Sequence, residues 1–289
     1  MIRFEPQSVA SALLVTLFVN VFACAGEGEA NHSFRVTIAS RLTVEAMGKS
    51  QLIEADTDFN YTWKQRERER TLIVDLIAVK GVFDGKETMN TTMSRAKLVT
   101  LEGGQKREIL FEDAPEPLKA MLRDTFQSPI CKIKVDERGR EIKREIVSNA
   151  GAKDLQKQGI IENARMFHPP YMSDKDEWSA VTEISMGNGG FAKGQLAYKK
   201  VPGGKNGQKV IVSGTLTNEG FDFPDQPIRI RKVKYIVRGE QTFDATRGHW
   251  TSGKLKIEAS FEMASGEKQP VATAKGTILL THQELLVKK

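Results

Sequence analysis

From Phe34 the side chains alternate for thirteen residues. Phe34, Val36, Ile38, Ser40, Leu42, Val44 and Ala46 form one row, and Arg35, Thr37, Ala39, Arg41, Thr43 and Glu45 the other. Successive side chains of a strand point to opposite faces, so this period of two specifies a single β-strand with one buried face. At ~3.3 Å per residue it runs on the order of 40 Å, beyond ordinary strand length. After a turn at Met47-Gly48-Lys49-Ser50 the pattern resumes. Ile53, Ala55, Phe59, Tyr61 and Trp63 share one face, against Glu54, Asp56, Asp58 and Asn60. The two runs predict a long antiparallel hairpin with one wet face.

The rest of the chain reads as β almost throughout. Leu72 to Val79 is apolar on both faces, as a central, covered strand would be. Leu255, Ile257, Ala259, Phe261 and Met263 alternate with Lys254, Lys256, Glu258, Ser260 and Glu262. Further strands are expected at 87–100, 106–112, 179–186, 194–201, 208–217, 228–243 and 270–284. In 228–243 the apolar phase flips between Ile230 and Val233, which predicts a bulge at Arg231-Lys232. Two short helical segments interrupt this. In 113–126, Asp113 and Glu116 fit a capping box, prolines suit the first turn, and Leu118, Met121, Leu122 and Phe126 line one face. The other, in 150–167, has a weaker stripe of Leu155, Ile160, Ile161 and Ala164. Between them ICKIKVDERGREIKREI predicts a hairpin turning at Gly139. The fold class expected is therefore mostly β, with long antiparallel curved strands in an open half-barrel or sandwich.

The two ends of this β region look alike. A hairpin carrying Tyr61 precedes LIVDLIAVKGVFD, and a hairpin carrying Tyr198 precedes VIVSGTLTNEGFDF. Each stretch ends in a Gly followed closely by Phe and Asp (Gly81, Phe83, Asp84; Gly220, Phe221, Asp222). An internal duplication is expected, with halves at 34–112 and 178–284 joined by helix, hairpin and helix over 113–167.

Residues 1–25 read as a targeting segment and 26–33 as a flexible linker. The apolar run from Val9 to Ala25 is marginal for spanning a bilayer, where ~20 residues are needed. Arg3 supplies positive charge, and Ala23-Cys24-Ala25 is a small-residue cleavage site before Gly26. Val21-Phe22-Ala23-Cys24 also resembles the bacterial lipobox, which makes Cys24 the candidate lipid-attachment residue. Simple secretion, lipidation at Cys24 and an uncleaved anchor all place the body of the protein outside the cytoplasm. Without Cys24 only Cys131 remains, so no internal disulfide is available. Cys131 alternates with Lys132 and Lys134 beside Ile133 and Val135, which predicts a thiol on the buried face of a strand.

The VDERGREIK hairpin, the HPPYMSDKDEW segment and YIVRGEQTFDATRGHWTSGKLKIEASFEM together resemble an uncharacterised family of secreted bacterial envelope proteins, over most of 34–284. That resemblance implies an envelope location and supplies no activity. Long curved strands with short helices are also similar in layout to the periplasmic lipoprotein-carrier proteins. This second likeness is architectural, and fold does not imply function.

The search for reactive motifs is negative. GVFDGKET approaches a phosphate loop but has one residue too few, and Glu87 stands where Ser or Thr is required; it reads as a hairpin turn. His32, His168, His249 and His282 have no partner at metal-ligand spacing and are expected on the surface or in loops. Asp174, Asp176 and Glu177 lack the Gly and terminal Glu of a calcium loop and read as a solvated turn. There is no G-x-S-x-G elbow. No catalytic residue, metal or cofactor is expected.

The formal net charge is +6. KQRERERT at 64–71 would put Arg66, Arg68 and Arg70 on one strand face, and IRIRKVKY carries four cations. A lipid or an anionic envelope component fits these charges as a partner. Nucleic acid does not, because secretion separates the two and no stacking aromatics accompany the basic residues. The solubility of long strands accounts for the same charges. The sequence thus points to a non-enzymatic binding or carrier module for an apolar or amphipathic ligand, with Ala55, Phe59, Tyr61 and Trp63 as candidate ligand contacts. The alternatives are a structural envelope protein with a filled core and, third, a hydrolase with an unrecognised carboxylate site.

Overall fold

The computed structural model describes residues 30–285, apart from 67, 103–104, 136–140, 148–172, 187–189, 203–206, 223–227, 248 and 265–269. The targeting segment with Cys24, the 150–167 helix, the turn at Gly139 and His168 lie outside the described residues.

The first half supplies β1 (Ala30–Ala46), β2 (Lys49–Arg66), β3 (Glu69–Phe83), β4 (Lys86–Ser94), β5 (Lys97–Glu102) and β6 (Gln105–Leu110). Helix α1 (Glu116–Phe126), β7 (Cys131–Val135) and β8 (Glu141–Ile146) follow. The second half supplies β9 (Glu177–Ser185), β10 (Phe191–Val201), β11 (Gln208–Asp222), β12 (Arg229–Asp244), β13 (His249–Ala264) and β14 (Pro270–Leu285). All pair antiparallel in one curved sheet that does not close into a barrel. The order is β6-β5-β4-β3-β2-β1-β14-β13-β12-β11-β10-β9, with the β7–β8 hairpin added beside β3. Each half is thus a six-strand meander, and the first and last strands of the chain meet in the middle, from Ser33↔Leu285 to Ala46↔Ala272.

The alternation behaves as expected. Phe34, Val36, Ile38, Ser40, Leu42 and Val44 are buried, as are Ile53, Ala55, Phe59, Tyr61 and Trp63. Ala46 packs against the core from its rim. Phe261 and Met263 are buried on β13. The opposite face of the first hairpin carries charge: the Arg35 guanidinium clasps Asp58 at 2.8 and 3.1 Å, and Arg41 meets Glu54 at 2.8 Å. Met47 and Gly48 both take positive φ (50° and 73°), as do Asp84 and Gly85 (47° and 77°). Two-residue turns of this hand match the twist of a hairpin, so GVFDGKET is the turn its sequence indicates. The bulge falls where the phase flips: the β12–β13 register shifts between Arg231 and Lys234, and Lys232 takes φ 50°.

At four strand glycines the neighbouring strand comes too close for a Cβ. A Cβ on Gly239 would stand 2.1 Å from the Lys254 carbonyl oxygen and 2.7 Å from Leu255 Cδ2. Gly194, Gly214 and Gly276 meet a backbone carbonyl and a leucine on the neighbouring strand in the same way.

Three expectations are corrected. The strand expected at 87–100 is two, β4 and β5, because Ser94 Oγ accepts from the Ala96 and Lys97 amides and turns the chain. The helix starts after Pro115 with no side-chain cap, so Asp113 and Glu116 form no capping box. KQRERERT is not one strand face: β2 ends at Arg66, β3 begins at Glu69 opposite it, and Arg70 is buried. Cys131 is buried on β7, as its alternation requires, and Leu122 and Phe126 of α1 are buried where the helix packs on β3 and β4.

Candidate functional site

Two regions of the inner face carry chemistry. The first is built by β1, β2 and β3 and contains the four residues expected to contact a ligand. Ala55, Phe59, Tyr61 and Trp63 share the inner face of β2 with Thr57 and are all buried. The rings are close: Phe34 stacks on Tyr61 at 5.3 Å between centroids, Phe59 lies 5.6 Å from Tyr61, and Trp63 meets Tyr61 edge-on at 6.4 Å. Burial pushes the Tyr61 phenol well above its ordinary range. Its hydroxyl is buried with no hydrogen-bond partner among the described residues. Farther along the sheet, Ser40, Ala55 and Gly81 stand side by side on β1, β2 and β3, all buried. Ser40 Oγ donates to the Ala55 carbonyl at 3.2 Å. These three small residues make a low strip between the bulkier pairs Ile53/Leu42 and Thr57/Ile38.

The second region lies at the far end of the seam between the terminal strands. His32 on β1, His249 on β13 and His282 and Glu284 on β14 converge there, with Arg247 reaching in from the β12–β13 turn. Glu284 Oε1 lies 3.2 Å from both His32 Nδ1 and His249 Nε2. Arg247 binds both oxygens of Glu284, its Nη1 donating to Oε2 at 2.7 Å. Arg247 Nη2 also lies 3.3 Å from His32 Nδ1, and His249 Nδ1 donates to the Arg247 carbonyl at 3.2 Å. His282 stacks on Phe34 at 4.9 Å.

Electrostatics follow from this packing. For Glu284, desolvation is the largest influence and raises the carboxyl, yet hydrogen bonds from His249, His32 and Arg247 together outweigh it and hold it well below the usual carboxylate range. Burial drives His282 down to about 3, so it is neutral at physiological pH.

The three described histidines are therefore neither loop nor surface residues: His249 and His282 are buried strand residues, and His32 is largely covered. Ligand-spacing rules missed them because the cluster joins residues 32, 249 and 284, which only the closing of the sheet brings together. The one local signal was His282 and Glu284 two residues apart, hence on one strand face. Asp174 and Asp176, by contrast, are exposed in the turn before β9. Among the described residues no helix is long and apolar enough to cross a membrane.

No family model matches the chain, and no curated protein matches it. Among solved structures, lipovitellin is similar with a TM-score of 0.48 and 9% identity, covering 91% of this chain and 26% of its own. The translocator domain of the autotransporter NalP from Neisseria meningitidis scores 0.22 at 8% identity, covering 90% of each chain. OccK5 of Pseudomonas aeruginosa scores 0.25 at 6% identity, covering 89% of this chain and 98% of its own. Scores this low do not establish a shared fold.

Proposed function

We propose that this is an extracytoplasmic, non-enzymatic binding or carrier module for an amphipathic molecule, which it holds on the inner face of β1 to β3. The observation that carries this reading is the Tyr61 hydroxyl, buried in an apolar wall without a partner among the described residues. An unsatisfied buried hydroxyl costs ~1–3 kcal/mol, and a ligand's polar group at that point would recover it. Six residues along β2, about 20 Å at strand rise, lies the low strip of Ser40, Ala55 and Gly81. An acyl chain running from Tyr61 toward this strip would have its polar end at the hydroxyl and its methylenes over Phe59, Thr57 and Ala55. Helix α1, packed on β3 and β4, would then close over the chain. Lipidation at Cys24 or cleavage before Gly26 belongs to the same proposal, since either would leave the β-sheet domain in the envelope.

One observation favours the structural alternative. Phe59, Tyr61 and Trp63 are each at most 1% exposed. A face so closely covered is also what a filled core requires. The two readings are separated by extracting lipid from the purified protein and titrating it with a fluorescent fatty acid: a carrier binds saturably, and a filled core does not.

A further inference from the structure

We propose that His32 Nδ1, His249 Nε2 and the Glu284 carboxylate form a binding site for a divalent transition-metal ion of the zinc type, and that Arg247 is a displaceable cation standing in its place. The ligand atoms lie within 4.8 Å of one another. Glu284 Oε1 is 3.2 Å from each imidazole nitrogen. A tetrahedral zinc ion with bonds of about 2.0–2.2 Å holds its ligand atoms ~3.3–3.6 Å apart, so the two pairs through Glu284 already stand near that spacing.

Hydrogen-bond logic supports the same conclusion. The Arg247 carbonyl can only accept, so His249 Nδ1 carries a proton, which leaves Nε2, the nitrogen facing Glu284, as the ring's ligand atom. His32 Nδ1 lies 3.3 Å from Arg247 Nη2 and 3.2 Å from the same carboxylate oxygen. Two ring nitrogens and a carboxylate thus converge where the Arg247 guanidinium places a positive charge. Arg247 supplies it from a turn, with 39% of its side chain exposed, whereas Glu284 is 7% exposed. A guanidinium on the surface side can swing outward, leaving the three ligands in place with a fourth position open. The bond from His249 Nδ1 to a backbone carbonyl is the outer-shell contact that fixes a ligating histidine. Two imidazoles and a carboxylate without thiolate suit zinc and its neighbours rather than magnesium or calcium. Bound there, the ion would tie β1, β14 and β13 together at the seam of the two halves.

The test uses chelator-treated, full-length protein titrated with Co²⁺ by visible absorption and with Zn²⁺ by calorimetry and thermal unfolding. The expected result is one saturable site per chain, a rise in melting temperature on saturation, and at least a tenfold loss of affinity in Glu284→Gln and His249→Ala. Arg247→Ala should bind at least several-fold more tightly than the wild type, because a competing cation is gone. This variant changes a half-exposed turn residue and keeps the test decisive if His249→Ala does not fold. Absence of saturable binding in both the wild type and Arg247→Ala would overturn the proposal. So would affinity unchanged by Glu284→Gln, which places the ion elsewhere, or affinity in Arg247→Ala no higher than in the wild type. In those cases the cluster is a structural network of hydrogen bonds and ion pairs.

Discussion

Leu255 lies across Gly239: with a Cβ at position 239, Leu255 Cδ2 would be 2.7 Å away and the Lys254 carbonyl oxygen 2.1 Å. The same relation joins Leu42 to Gly276, Leu196 to Gly214 and Leu216 to Gly194. At each of these pairs a leucine lies over a glycine on the neighbouring strand, with no room for a Cβ.

Gly239→Ala should therefore destabilise the protein by about 1–3 kcal/mol, the usual cost of overpacking, since a backbone carbonyl cannot rotate aside as a side chain can. Urea unfolding measures it. A change within a few tenths of a kcal/mol would show that the strand relaxes freely at that point.

Alkaline pH should unfold the protein through its buried tyrosines. Burial raises Tyr61 and Tyr235 and lifts Tyr198 to about 12. Each folded pKa lies above the unfolded value of ~10, so the stability they contribute is intact below pH ~10 and is lost as pH climbs toward 12. Phenolate absorbance during a pH titration should rise together with loss of the β-sheet circular dichroism signal. Full ionisation of all four tyrosines with the sheet intact would contradict this burial.

The Cys131 thiol, buried on β7, should react slowly with a water-soluble disulfide reagent in the folded protein and rapidly in denaturant. Equal rates would mean that the β7–β8 hairpin opens readily from β3.

Much of this architecture was legible because strand alternation is local. Phe34 to Ala46 specifies a buried face without reference to any partner, and the flip between Ile230 and Val233 marks the bulge by itself. What escaped depended on contacts between distant residues or on backbone bonds. Ser94 turns the chain through its hydroxyl, with no Gly or Pro to announce it. Arg70 reads as a solvated cation until β7 pairs alongside it at Ile133. His32, His249 and Glu284 share no spacing, since the pairing of β1 with β14 and β14 with β13 creates their meeting point. The apolar row of β2 was visible in advance, but the strip formed by Ala55 with Ser40 and Gly81 needed the register.

On the extracytoplasmic proposal, protein isolated from its source should begin at Gly26, or at a lipid-modified Cys24. Intact-mass measurement distinguishes the two. An unprocessed Met1 terminus would exclude both.

The carrier reading depends most directly on whether the inner face of β2 accepts an acyl chain. A dozen buried methylenes at ~0.8 kcal/mol each contribute about 10 kcal/mol before the cost of association, enough for usable affinity. Titration of the wild type and of Ala55→Trp with a fluorescent fatty acid, with thermal unfolding as a check on folding, is the deciding measurement. Saturable binding by the wild type, lost in an Ala55→Trp protein that still unfolds cooperatively near the wild-type temperature, is the predicted result. No saturable binding by the wild type, or an Ala55→Trp chain that fails to fold because the strip is close-packed core, would contradict it.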